Sequence, residues 1–192
     1  TDVADKLLTL LEKQGRSSEV EKVLQQVEAT PQAASAWRVR SAVRTGDFSE
    51  AIEELKLRAS NDERDADSRV RLARLIYGQA KDAEQALRYL DEAEAIASGS
   101  LVATGVRASI LRAEGRTEDL HRTLDGYVAD HNDFNAYLLR ASFLNREGDL
   151  QNAEADYKKL LSFAEKGTTG YELLSAFYVT NDRIDPAVAA VE

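Results

Sequence analysis

Two histidines and no cysteine leave this chain few groups for metal or nucleophile chemistry. Neither His121 nor His131 has a second ligand at helical or turn spacing, so neither marks a metal site. The pattern sets His121 on an exposed helix face and His131 in a turn. Without a thiol, disulfides and thiolate metal sites are excluded. The densest acidic run, Asn61-Asp62-Glu63-Arg64-Asp65-Ala66-Asp67, has the look of a calcium loop. It lacks that loop's central glycine and closing bidentate glutamate, and reads instead as a turn with helix-capping acids. No G-x-G-x-x-G, phosphate-binding loop, nucleophile elbow or H-E-x-x-H occurs. Carboxylates are plentiful, but on helices they are mostly solvated, and no pair is marked out for acid–base work. The expectation is a protein that is not an enzyme and needs no cofactor or metal.

Composition points the same way. Of 192 residues, 43% are hydrophobic and 31% charged, as in folded rather than disordered chains. Only 2 prolines and 10 glycines interrupt it, which leaves room for long helices. No apolar run approaches the ~20 residues of a membrane span. A net charge of −9 disfavours nucleic acid as a partner, because neutralising phosphates takes surplus Lys and Arg. Thr1 is not an initiator, so the sequence is expected to be a processed or excised piece. Absence of cysteine suits a cytoplasmic and an exported bacterial protein equally.

The elements that must position any functional group are clearest between Asp133 and Leu161. Phe134, Tyr137, Leu138, Ala141, Phe143 and Leu144 fall mostly on one helical face. Gly148-Asp149 follows, a left-handed stop and an N-cap. Leu150, Ala153, Tyr157, Leu160 and Leu161 then line a second helix. The pattern recurs in units at about 1–30, 31–61, 62–99, 100–130, 131–166 and 167–192, the last one cut short. One recurring position holds Val20, Ala51, Ala86, Leu120, Ala153 and Ala187, at spacings of 31, 35, 34, 33 and 34. Glycine punctuates four of the turns, at Gly15, Gly46, Gly115 and Gly148. Pairing Trp37-Ser41 with Tyr137-Ala141 predicts a shortened first helix or tighter turn before Gly46. The third turn, Gly78-Gln79-Ala80-Lys81-Asp82, is expected to be one residue longer than the fifth. Gly105 should make its helix the weakest, costing about 1 kcal/mol relative to alanine.

Tyr137, Arg140, Ala141, Leu144, Gly148, Ala153 and Tyr157 resemble the signature of the tetratricopeptide repeat family, a 34-residue helix-turn-helix. Arg140 stands where that family usually has leucine. The resemblance implies one all-α domain over residues 1–192, a right-handed superhelical array of about six antiparallel repeats. It also implies a concave groove lined by the first helix of each pair, which holds a peptide or helix of a partner. The family's groove positions carry over to Ser35 and Arg38, then Val70, Arg74 and Tyr77, then Val102, Ser109 and Arg112. Further on they carry over to Asn135, Leu138, Ser142 and Asn145, and last to Thr169, Glu172 and Val179. Arg38, Arg74, Arg112 and Asn145, with Tyr77 and Asn135 beside them, are expected to receive an acidic or carboxylate-bearing peptide. The alternative is that these arginines lie over their helices or pair with local Asp and Glu. Arg40, Arg107 and Arg140 precede the small residue and are expected to brace neighbouring repeats through carbonyls. The Lys/Asn/Arg clamp of chaperone-binding members has no counterpart, since Asp5 and Thr9 occupy its places.

The function implied is a protein–protein interaction scaffold. An alternative is the recruiting or regulatory arm of a larger enzyme or envelope/secretion machine. An RNA-binding repeat array would need a basic inner face, against the acid excess. Self-association is a further alternative, because Ala187, Val188 and Val191 have no following repeat to cover them.

Overall fold

The structure, a computed structural model, describes residues 2–16, 18–20, 22–23, 31–163 and 168–189. All regular structure among these residues is helical. The chain divides into two compact units, residues 1–89 and 90–192.

The first unit holds α1 (Asp2–Lys13), α2 (Pro31–Thr45), α3 (Phe48–Asn61), α4 (Ala66–Ala80) and the start of α5 (Ala83–Ile96). Leu8, Leu11, Val20 and Trp37 form one core cluster, with Val23 against it. Val39, Leu55, Ala59, Leu72 and Ile76 form another. Helix α2 packs on α3, and α3 on α4.

The second unit continues with α6 (Leu101–Ala113), α7 (Thr117–His131), α8 (Phe134–Glu147), α9 (Leu150–Leu160), α10 (Thr169–Thr180) and α11 (Ile184–Ala189). From α6 onward each helix packs on the next, and α6 also touches α8. Such stepwise stacking supplies each hairpin with the cover it cannot give itself. The core here includes Phe134, Ala141, Leu144, Tyr157, Leu160, Leu174, Phe177 and Tyr178. Ala187, expected at an uncovered end, is buried in that core. Val191 and the side chain of Val188 lie outside the described residues.

Short polar side chains start these helices. Asp47, Asp65, Ser100, Asp133 and Asp149 each accept a hydrogen bond from the backbone N–H three residues on. A cap of this kind is worth about 1 kcal/mol. The acidic run 61–67 is thus a capped turn, with Asp65 as the N-cap.

Left-handed residues end the helices. Gly46 and Gly148 share a φ of 83°. In both turns the following aspartate N–H donates five residues back, Asp47 to Ala42 at 2.8 Å and Asp149 to Leu144 at 3.0 Å. The turn at Gly46 is therefore not tighter than that at Gly148, and α2 is not shortened, with 15 residues against 14 in α8. What differs is the register. Val39, 3% exposed, takes the place of Ala141, while Ser41 is only half-buried. Trp37 therefore stands at the place of Leu139, two residues beyond that of Tyr137. The third turn is not longer: Lys81 and Asp82 alone separate its helices, as Gly148 and Asp149 do, and the extra residue lies in α4, with 15 residues against 14 in α8. Its left-handed position belongs to Lys81, with φ 55°. Gly78 lies inside α4.

Candidate partner-binding face

In the second unit, the first helices of successive hairpins are α6, α8 and α10. Their caps and turns set Val102, Asn135 and Thr169 in one register. Arg112, Asn145 and Val179 share another, ten residues or nearly three turns further along. Val102 is 57% exposed and Val179 53%, and Asn135 is exposed. Ser109 and Ser142 donate to carbonyls of their own helices, Gly105 and Leu138, so neither hydroxyl needs an outside partner.

Two equivalent rungs tie this face together. Arg112 Nε meets Glu147 Oε1 at 2.6 Å, and Asn181 Nδ2 donates to Asn145 Oδ1 at 3.1 Å. Both run from one first helix to the far end of the next. Arg112 and Asn145 are thus at one register of successive first helices, and each already has a partner. Glu147 and Asn181 were not foreseen. Their offsets of 35 and 36 residues become meaningful only once the register is fixed.

The other expected residues lie in the first unit. Arg74 is exposed and makes no hydrogen bond or ion pair among the described residues. Tyr77 is half-buried, with the Lys81 ammonium 5.0 Å from its ring centroid. Arg38 does not share the register of Arg112 and Asn145. The corrected register puts it at the place of Arg140, and it approaches Glu54 on α3 at 3.9 Å.

Arg140 shows what that place does. It holds Asp156 bidentately, at 2.7 and 2.8 Å, and reaches Asp125 of the preceding α7 at 2.9 Å. Arg107 likewise reaches Asp91 of the preceding α5 at 2.6 Å. These arginines brace neighbouring helices as expected, but through carboxylates rather than carbonyls. Guanidinium forks match carboxylates bidentately, which favours that choice. The Asp156 hydrogen bonds, with Asp125 in support, hold the Arg140 guanidinium above its ordinary value. Arg40 is outside this register.

A second carboxylate ties α9, α10 and the turn that follows α10. Glu154 of α9 accepts from Lys158 at 2.7 Å, from the Tyr178 hydroxyl of α10 at 2.9 Å, and from Arg183. Hydrogen bonds from Lys158 and Arg183 pull its pKa down to about 2.

The histidines are not where the sequence set them. His121 is half-buried on α7, and its Nε2 has no hydrogen-bond partner. His131 is the last residue of α7, its ring stacked on Tyr127 at 3.9 Å and its Nδ1 3.0 Å from the Tyr127 carbonyl. Among the described residues no group of three His, Asp or Glu side chains could hold a metal ion. Nor is any described helix long and apolar enough to cross a membrane.

The sequence profile of the tetratricopeptide repeat family matches residues 134–166. A search of curated proteins finds no match to the chain. Among solved structures, TTC0263, a thermophilic tetratricopeptide repeat protein of Thermus thermophilus, superposes with a TM-score of 0.62 at 21% identity. That match covers 93% of this chain and 98% of the other. PilW, described as a widely conserved type IV pilus biogenesis factor, superposes with a TM-score of 0.62 at 14% identity, covering 98% and 89%. MamA superposes with a TM-score of 0.54 at 18% identity, covering 83% and 87%. At these identities the likeness shows the fold.

Proposed function

We propose that this tetratricopeptide-repeat protein is an interaction scaffold that holds a peptide or helix of a partner on the face of its first helices. The observation that carries the reading is the repetition of outward-facing side chains at one register of successive first helices. Arg112, half-buried Asn145 and exposed Val179 follow one another there in the second unit, and in the first unit Arg74, at the place held by Ser109 and Ser142, offers a guanidinium without a hydrogen bond among the described residues. Side chains that recur at one register can meet an extended ligand at regular intervals. Arg74 suits an acidic side chain of that ligand, because a guanidinium fork binds a carboxylate with two parallel hydrogen bonds. Arg112 meets such a side chain only in exchange for Glu147, which makes it the weaker of the two contacts.

The test is affinity capture with mass spectrometry, comparing the natural chain with the double variant Arg74→Glu/Arg112→Glu. Partners of the natural chain should disappear from the variant. Capture of the same partners in the same amounts would reject the reading.

A further inference from the structure

The chain has a net charge of −9, yet two first helices of its first unit are basic. Helices α2 and α4 hold Arg38, Arg40, Arg44, Arg69, Arg71 and Arg74 against a single acid, Asp67. Helix α3 between them holds Glu50, Glu53 and Glu54 against Lys56 and Arg58. Three of the six arginines turn to the fold itself. Arg38 approaches Glu54 at 3.9 Å. Arg69 donates to the carbonyls of Ala59 at 3.2 Å and Asp65 at 2.9 Å, and Arg71 pairs with Asp67 at 2.7 Å. The other three, Arg40, Arg44 and Arg74, are exposed.

Register sorts these three. Gly46 answers to Gly148, which relates α2 to α8 by 102 residues, and the N-caps Asp65 and Asp133 relate α4 to α8 by 68. Arg40 and Arg74 therefore stand at one place, that of Ser142, on successive first helices. Val43 and Tyr77 stand at the place of Asn145, and Arg44 and Gly78 at that of Arg146. Val43 is 40% exposed and Tyr77 half-buried. A side chain at Gly78 would meet nothing within 4 Å among the described residues. Packing there does not call for glycine, which inside a helix costs about 1 kcal/mol relative to alanine. What glycine does allow is the close approach of another backbone.

We propose that the first unit selects a partner segment with two acidic side chains, one held by Arg40 and one by Arg74, laid across Val43, Tyr77 and Gly78. The proposal rests on the first-helix reading above and names the chemistry it selects. Each guanidinium fork matches one carboxylate, so two forks one repeat apart favour two acids over one. In the second unit the same place holds Ser109 and Ser142, whose hydroxyls donate within their own helices, so the preference belongs to the first unit. Single-stranded nucleic acid fits less well, because it needs rings on which bases stack. The one ring at these places, Tyr77, is half-buried with the Lys81 ammonium against it.

The experiment is fluorescence anisotropy of the full chain with labelled oligoglutamate in low-salt buffer, beside oligoglutamine, oligolysine and oligouridylate of equal length. Oligoglutamate should bind at least about tenfold more tightly than the other three. Arg40→Ala and Arg74→Ala should each weaken it about fivefold, and the two together about twenty-five-fold. Arg88→Ala, the same charge change at an exposed position on α5, should leave it unchanged. Thermal melting reports that each variant keeps the fold. No binding of oligoglutamate at millimolar concentration, tighter binding of oligolysine or oligouridylate, no loss on Arg40→Ala, or an equal loss on Arg88→Ala would overturn the proposal. Partner capture separates the two readings. If Arg74→Glu/Arg112→Glu removes the captured partners while Arg40→Ala changes neither capture nor oligoglutamate binding, this proposal fails and the first-helix reading stands.

Discussion

Arg38 and Arg140 stand at the same place in two hairpins built on one backbone plan, and their surroundings differ. Arg140 grips Asp156, whose side chain is 7% exposed, with two hydrogen bonds, and a third reaches Asp125. Its guanidinium carbon also lies 5.7 Å from the Tyr137 ring centroid. Arg38 approaches Glu54 at 3.9 Å, and the tyrosine's place is taken by Ser35. Glycine, capping aspartate and alanine fix the path of the chain in both. The side chains laid on that path decide whether the hairpin is clamped by a bidentate ion pair, as in α8–α9, or held by a longer approach, as in α2–α3. A repeat protein can in this way keep its frame constant and vary what each unit offers.

The sharpest way to break this comparison is to remove each arginine. Arg140→Met strands the buried Asp156 charge and should cost roughly 2–4 kcal/mol in urea unfolding. Arg38→Met should cost less, about 1 kcal/mol, because its 3.9 Å approach to Glu54 is too long for a hydrogen bond. Equal losses would mean that the two hairpins are clamped alike.

Acid titration sharpens the contrast from the other side. The Glu154 carboxylate, held at about 2 when folded, titrates near its ordinary value of 4.5 when unfolded. Its contribution is therefore fully present above the unfolded value and is lost as pH falls through the folded one. Glu154→Gln should lower the melting temperature at pH 6, and the gap to the natural chain should close between pH 5 and pH 2. A gap that stays constant would show that the carboxylate makes no such contribution.

The smallest effects test the shared frame. Gly46→Ala and Gly148→Ala each force a side chain into left-handed backbone and should each cost about 1 kcal/mol, nearly the same in both hairpins. Unequal costs would show that the two turns are not equivalent.

Much of the frame was legible because it rests on local chemistry. Gly148 and Asp133 announce a helix stop and a helix start by residue type, and Ala141 and Ala153 mark the close crossing. Register was harder. Trp37 is aromatic like Tyr137, but it packs among Leu8, Leu11 and Val20 rather than at the tyrosine's place. A single large ring therefore pulled Arg38 onto the wrong face. Lys81 in left-handed backbone was hidden because Gly78 nearby looked the better candidate. The rungs from Arg112 to Glu147 and from Asn145 to Asn181 join residues about one repeat apart, and no local pattern announces them.

The proposed function requires that the first helices, rather than the second, meet the partner. Amide chemical-shift mapping of the chain with a captured partner segment tests this most directly. Shifts should gather at Arg74, Arg112, Asn135 and Asn145 on the first helices, leaving Arg122 and Gln151 on the second helices unmoved. Shifts confined to α7 and α9, with those four residues unchanged, would contradict it.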